Sequence, residues 1–243
     1  PDRAAILPVP TFEMLERYVG ASGAAVARIP WLEGPLPVDE MIGAVTPRTS
    51  FAAVVSPNNP TGLVASPGDL AHLSAAAPTA LLAVDLAYAE FADEDLTQAA
   101  IALPNAVAFR TFSKALGLAG LRVGYAVAPR PIADLLRAAG HPYAVSSASL
   151  AIAEARLEAG LEDVARHVEA VRSERARLEA LLRRCGAGVT RSQGNFAFAR
   201  CADAARVRAE LGRRGISVRG FAGSALAGDC LRITLPGDEA RFA

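Results

Sequence analysis

Two kinds of hydrophobic pattern alternate along the first part of the chain. Short runs that are apolar at nearly every position, at residues 24–29, 51–55, Leu81–Asp85, 106–110 and 123–128, predict β-strands. Between them, segments with helical spacing at residues 12–19, Pro67–Ala76 and 132–139 predict helices. Ser66 before Pro67 reads as a helix start, the serine as N-cap and the proline at the first helical position. Strands apolar on both faces and separated by helices imply an α/β unit with a mostly parallel central sheet covered by helices on both sides. After Pro142 the texture changes. Residues 147–184 form a long amphipathic helical pattern laced with Glu and Arg, expected to present a charged outer face. A smaller α+β unit follows, with strands at 196–199, 217–219 and 231–235 and a helix at 202–213. The expected organisation is a large unit over residues 1–146 and a small C-terminal unit over 147–243 that includes the long connecting helix. No internal repeat and no low-complexity linker interrupts it.

Composition narrows the classes. Hydrophobic residues make up 52% of the chain, enough for a sizeable core. Formal net charge is zero, from 25 basic and 25 acidic residues, which argues against nucleic acid or a membrane surface as the main partner. Cys185, Cys201 and Cys230 are odd in number and widely spaced, so they read as free thiols in a reducing, cytoplasmic setting. His72, His141 and His167 share no spacing with them that would hold a metal. Trp31 reads as a surface-strand or interface aromatic. The chain opens on Pro1 and stops at Ala243 soon after the last predicted strand, without a closing helix. Both ends therefore predict a piece of a longer polypeptide.

One residue changes the picture. Among the 25 Lys and Arg positions there is a single lysine, Lys114, in the run Arg110-Thr-Phe-Ser-Lys114. Arginine cannot replace lysine where a primary amine must attack a carbonyl, because the guanidinium stays protonated. A lone lysine after an apolar strand is thus a Schiff-base candidate. Its neighbours strengthen the case, because ligands of open parallel sheets bind beyond the carboxyl ends of the strands. Ser56-Pro-Asn-Asn-Pro-Thr-Gly62 follows one predicted strand, Asp85 ends the next with Tyr88 after it, and Thr111-Phe-Ser-Lys114 follows a third. One crevice could collect Asn59, Asp85, Tyr88, Thr111, Ser113 and Lys114. Taken singly, these residues have other readings: Asp85 can cap the following helix, Asn59 can serve the turn before Pro60, and Tyr88 can be a half-buried aromatic.

The ordered set Asn59-Pro-Thr-Gly62, Asp85-Leu-Ala-Tyr88, Ser113-Lys114 and Arg122 resembles the signature of fold-type I aminotransferases that use pyridoxal 5′-phosphate (PLP). Pro10-Thr-Phe12, Gly215-Ile-Ser-Val-Arg219 and Cys230-Leu-Arg-Ile-Thr234 extend the resemblance over nearly the whole chain, toward the histidinol-phosphate aminotransferase subgroup. The resemblance implies a role for each residue. Lys114 would form the Schiff base and shuttle the 1,3-proton transfer; Asp85 would face the pyridine nitrogen; Asn59 and Tyr88 would bond the 3′ oxygen. Thr111, Ser113 and Arg122 would hold the phosphate, and Phe12 would stack on the ring where the subgroup carries Tyr. Arg219 and Arg232 would grip the substrate's anionic groups, with Asn195 lining the site. The resemblance implies transamination of histidinol phosphate or a related aromatic donor with 2-oxoglutarate, in a cytoplasmic homodimer with shared active sites. Two alternatives stay open: a same-fold lyase such as a threonine-phosphate decarboxylase, and an aminotransferase-like effector domain of a transcriptional regulator. The family pattern begins well before Pro1, with an N-terminal arm, the first strand and helix of the large unit, and a tyrosine donated to the partner subunit. Leu86 replaces the family's second acid, and alternation turns that position away from Asp85.

Overall fold

The computed structural model describes residues 2–242; Pro1 and Ala243, the two ends singled out above, lie outside the described residues. A six-stranded sheet forms from β1 (Ala4–Val9), β2 (Ala25–Pro30), β3 (Thr49–Val55), β4 (Leu81–Asp85), β5 (Ala106–Thr111) and β6 (Gly124–Val127). Its spatial order is β2-β1-β3-β4-β5-β6. Every neighbouring pair is parallel except β5–β6. The sheet is mostly parallel, as expected, and the antiparallel edge has a local reason. A parallel return needs a long crossover, usually a helix. Here the loop between β5 and β6 closes on itself, with Phe112 N–H donating to Val123 O at 3.1 Å, so the chain doubles straight back.

Strand alternation divides the core into two layers. Ile6, Ala52, Val54, Leu82 and Val84 pack on one face, beneath helices α2 (Val38–Gly43), α3 (Pro67–Ala76) and α4 (Thr97–Ile101). Ala5, Leu7, Ala53, Ala83 and Val107 pack on the other, against Leu15 and Val19 of α1 (Glu13–Ala21) and Ile132 and Leu136 of α5 (Arg130–Ala139). The α3 start is as read from the sequence, with Ser66 and Asp69 completing a reciprocal capping box. β1 is not among the strands expected from the sequence, and it carries a proline, Pro8, within its apolar run. Its ladder to β3 ends at Ile6, so Pro8 takes no part in that pairing.

Trp31 corrects the surface reading. It is 1% exposed, among the largest buried side chains, and its Nε1 donates to Gly34 O at 3.3 Å. Gly34 takes the left-handed conformation (φ 71°), which folds the loop after β2 back over the indole.

A second, antiparallel sheet has the order β7-β8-β10-β9, from β7 (Gly188–Val189), β8 (Phe196–Arg200), β9 (Arg219–Gly220) and β10 (Cys230–Thr234). Helix α8 (Ala204–Arg213) covers it, and a short helix α9 (Glu239–Phe242) follows β10 where none was expected. The long helical pattern is two helices, α6 (Ser147–Ala159) and α7 (Leu161–Arg184), parted at Gly160, a residue with poor helix propensity. The charged face of α7 is also not wholly outward. Glu174 and Glu179 are buried, Glu174 accepting from Gly237 N and Glu179 from Ser192 N and Arg183 Nη2. Buried carboxylates persist only with such donors. Tyr88, Phe91 and Ala115 from the large sheet's loops meet Phe196, Leu235 and Val171 in a cluster that joins the two sheets.

Gly62 packs tightly against Ser192, in the loop before β8. Its φ is 74°, and a Cβ there would lie 2.0 Å from Ser192 Oγ. Gly62→Ala is expected to cost about 2–4 kcal/mol from backbone strain plus overpacking, measured as a drop in the urea midpoint at constant slope.

Candidate active site

Three consecutive strand ends build a cavity of about 280 Å³ against the second sheet. That is close to the lower bound of roughly 300 Å³ for small-molecule sites. Lining it are Phe12, Asn59, Asp85, Tyr88, Lys114, Arg219 and Arg232, all expected from the sequence, together with Thr11, Glu13 and Phe221, which were not.

The loop after β3 is set by Asn58, which is fully buried and fully bonded. Its Nδ2 donates to Pro10 O and to Thr61 Oγ1, both at 2.9 Å, and its Oδ1 accepts from Thr11 Oγ1 at 3.1 Å. One amide thus ties the entry to α1 onto the loop and leaves Asn59 at the cavity wall. Sequence reasoning passed over Asn58 because the resemblance rests on its neighbour. On the far side, Thr190 Oγ1 donates to Thr61 O at 2.7 Å and Gln193 N–H to Gly62 O at 2.8 Å, which bind the loop to the second sheet.

Asp85 closes β4. Its Oδ1 accepts from Ala87 N–H at 3.0 Å, and among the described residues Oδ2 has no donor. Burial pushes the carboxyl above its ordinary range, opposed by the Ala87 hydrogen bond and the charge of Lys114. Lys114 sits in a loop held on both sides, by Ser113 N–H to Thr111 Oγ1 (3.1 Å) and Gly117 N–H to Lys114 O (3.0 Å). Its amine is pushed down from the ordinary lysine range, first by desolvation and then by Arg232, with Asp85 opposing and Arg122 adding to the effect. Nζ lies 5.3 Å from the Tyr88 ring centroid. Tyr88 is buried, edge-on to Phe196 at 5.2 Å, and its phenol is pushed up mainly by desolvation.

Two guanidiniums reach in from the second sheet. Arg232 Nη1 donates to Asn59 Oδ1 at 2.5 Å, its Cζ lies 5.2 Å from the Phe196 centroid, and its buried Nε has no partner among the described residues. Arg219 pairs with Glu13 at 3.1 Å.

Four expected site residues lie outside the cavity wall. Thr111 and Ser113 flank Lys114 in the chain, and the Thr111 hydroxyl holds the loop. Arg122 is exposed, in the left-handed region at φ 58°, with Nη1 on Ala119 O. Asn195 meets Leu235 N–H through its backbone carbonyl.

The arrangement provides a lysine amine with enhanced neutral fraction, a desolvated carboxylate short of a cationic partner, and guanidiniums for anions. The open Oδ2 of Asp85 is a polar group that a charged ligand would satisfy.

Comparison with known proteins agrees in kind. The family profile described as "Aminotransferase class I and II" matches residues 1–241. A histidinol-phosphate aminotransferase from Paracoccus denitrificans is 38% identical over 238 residues, covering 94% of this chain and 63% of that protein. An aromatic amino acid aminotransferase from Mycobacteroides abscessus is 40% identical over 192 residues, covering 77% and 55%. The chain thus spans less than two thirds of the length of either relative. Among solved structures, histidinol-phosphate aminotransferase from Sinorhizobium meliloti, in complex with pyridoxal-5′-phosphate, superposes with a TM-score of 0.88 at 25% identity, over 99% of this chain and 67% of that one.

Proposed function

Because the chain belongs to the class I and II aminotransferase family, we propose that it binds PLP in this cavity and transfers an amino group from a donor amino compound to 2-oxoglutarate. The single observation that carries the reading is the convergence of Lys114, Asp85, Tyr88, Asn59 and Arg232 on one cavity. Histidinol phosphate and aromatic amino acids are the proposed donors, supported by the names of the two relatives.

The residues fit the group. Lys114 would hold its aldehyde carbon, Asp85 its ring nitrogen, Asn59 and Tyr88 its 3′ oxygen, and Phe12 its ring face. Thr111, Ser113 and Arg122 are proposed for its phosphate. When bound, PLP supplies a carbonyl that condenses with amines and a ring that withdraws electrons from the carbon bearing the amino group. The protein's own part is proton handling and charge placement. Nζ of Lys114, its pKa lowered, can take the proton from the donor's α-carbon, a service worth about 10²–10⁴ in rate. The Asp85 carboxylate can keep a proton on a nitrogen facing it. The Arg232 guanidinium lines the cavity with a neutral side-chain partner, Asn59, so it can pair with the donor's anionic group and fix which bond is aligned for reaction.

The large and small units are proposed as 1–146 and 147–243, supported by the two separate sheets. A second copy is proposed to cover the exposed apolar side chains Tyr125, Leu135, Leu150 and Ile152. No helix among the described residues is long and apolar enough to cross a membrane.

The deciding experiment loads the protein with PLP and follows the half-reaction spectroscopically across a donor panel, with carbonyl product and CO₂ both assayed. Loss of the cofactor absorbance with a carbonyl product, a 2-oxo acid from an amino acid or a ketone phosphate from histidinol phosphate, supports the reading; CO₂ release or no response overturns it. Arg232→Ala is expected to raise KM for the donor about 10–100-fold while PLP affinity changes far less. An unaltered KM would remove Arg232 from the substrate site.

A further inference from the structure

Tyr88 and Lys114 reach the cavity on different loops, one after β4 and one after β5, yet Nζ lies 5.3 Å from the Tyr88 ring centroid. The two loops must therefore be held in register. Leu86 N–H donates to Phe109 O at 2.9 Å, and beyond it no backbone hydrogen bond among the described residues ties residues 87–95 to β5. Side chains hold that segment instead, from two directions. Arg172 Nη2 and Arg175 Nη1, both on α7, donate to Ala92 O and Phe91 O. Arg110 ties it to β5. Its Nη2 donates to Glu90 Oε1 at 2.7 Å, and its Nη1 donates to Asp95 Oδ2 at 2.7 Å and to Thr97 Oγ1 at 2.6 Å. Glu90 lies just after Tyr88, in the short helical turn Ala89–Phe91, and Arg110 lies just before the loop that carries Lys114. The Arg110 and Glu90 side chains are 10% and 20% exposed. Arg110 Nε and Glu90 Oε2 are buried with no other partner among the described residues, so loss of either residue leaves a charge uncovered in the interior. Neither residue lines the cavity.

We propose that Arg110 is a positioning residue: through Glu90 it clamps the segment that carries Tyr88 to the strand that delivers Lys114, and so sets how the phenol meets the amine and the cofactor's 3′ oxygen. The inference rests on the transaminase reading above for the cofactor, and on the two ion pairs for the clamp. A guanidinium suits the task because its planar fork grips Glu90 and Asp95 together in a fixed geometry. Without it, the Tyr88 segment is held by the two α7 arginines and no longer by the strand beside it. Burial is the main reason that the Lys114 amine is pushed down from its ordinary range. A segment free to drift admits water to that amine and misplaces the phenol.

Lys114 is the single lysine of the 243 residues, so protein grown with lysine labelled at Cε gives one such NMR signal. Its pH titration reports the amine without cofactor or turnover. Arg110→Met and Glu90→Met are both expected to raise the midpoint by about one pH unit, because both free the segment and hydrate the amine. Mere loss of a charge would act with opposite signs, raising the midpoint when the cation goes and lowering it when the anion goes. Arg110→Met/Glu90→Met removes both charges together and is expected to raise the midpoint too, so it carries the test where a single variant does not fold. A second readout uses the PLP-loaded protein. A hydroxyl donating to the 3′ oxygen favours the deprotonated form of the bound chromophore. Arg110→Met is expected to raise the midpoint of the absorbance change with pH by about one pH unit, and this shift is expected to vanish in a Tyr88→Phe background. A purely structural role would lower stability and leave both midpoints in place. Unchanged midpoints, opposite shifts in the two single variants, or a spectral shift that survives loss of the Tyr88 hydroxyl overturns the proposal. Wild type inert toward every donor overturns the transaminase reading instead, and the lysine titration still decides the role of Arg110.

Discussion

Lys114→Arg is expected to fold, to keep its positive charge, and to lose about 10⁴ in kcat, the upper end of what one positioned proton-transfer group contributes. The substitution isolates the amine from the charge. The loop that carries Lys114 is held by its backbone, through Gly117 N–H to Lys114 O and Leu118 N–H to Phe112 O, so a longer cationic side chain leaves the loop's hydrogen bonds in place. What it removes is a nitrogen that can be neutral near pH 7. In the wild type the amine is driven that way chiefly by desolvation and by Arg232. A guanidinium in the same place stays protonated. Borohydride reduction of the PLP-loaded protein gives an independent readout. The wild-type peptide spanning Lys114 should gain the mass of the reduced cofactor, and the variant should gain none. No second lysine among these 243 residues can take the label. A variant retaining a tenth of wild-type turnover, or label on another peptide, would sink the Schiff-base role.

The sequence carried the parts of this site that depend on residue type and strand order. Lys114, Asp85 and Asn59 were legible because each follows a run with an unambiguous apolar pattern, and parallel strands bring their carboxyl ends together. What was not legible depended on three-dimensional neighbours. Nothing in Thr11-Phe-Glu13 signals that Glu13 will meet Arg219 from the far end of the chain. Asn58 looked like half of a repeated letter, yet it is the buried amide that fixes the loop and leaves Asn59 facing the cavity. Trp31 was misjudged because the turn at Gly34 that folds over it has no hydrophobic period to announce it. The inward glutamates of α7 escaped for a related reason: Glu174 and Glu179 share the charge pattern of the outer face, and the backbone N–H groups of Gly237 and Ser192, distant in sequence, draw them in. Thr111, Ser113 and Arg122 show the limit of motif reading. They sit one loop away from the cavity wall, and their proposed phosphate role rests on resemblance and on proximity to Lys114.

Asp85→Asn should separate stability from chemistry. In the wild type, burial raises the Asp85 pKa above its ordinary value of 3.8. A raised acid pKa means that the folded state holds this proton more tightly than the unfolded state. Ionisation therefore costs stability as pH climbs past 3.8, and the cost is complete once pH passes the raised folded-state pKa. Asparagine removes it and keeps an oxygen for Ala87 N–H. In the absence of cofactor the variant should melt higher than wild type at pH 7, by about 2–4 °C per kcal/mol relieved. That advantage should fade as pH falls toward 3.8, where wild-type Asp85 is protonated too. Catalysis should move the other way. A carboxylate about 4 Å from a protonated ring nitrogen, at an effective dielectric of about 20, interacts by roughly 4 kcal/mol before desolvation. Losing most of that should lower kcat by about 10²–10³-fold, with PLP still bound through its other contacts. A variant that is both more stable and nearly inactive would identify Asp85 as a charge buried for function against the stability of the empty fold. Full turnover in a well-folded Asp85→Asn protein would show that no cation is held at Oδ2, and the proposed orientation of the cofactor would fall with it.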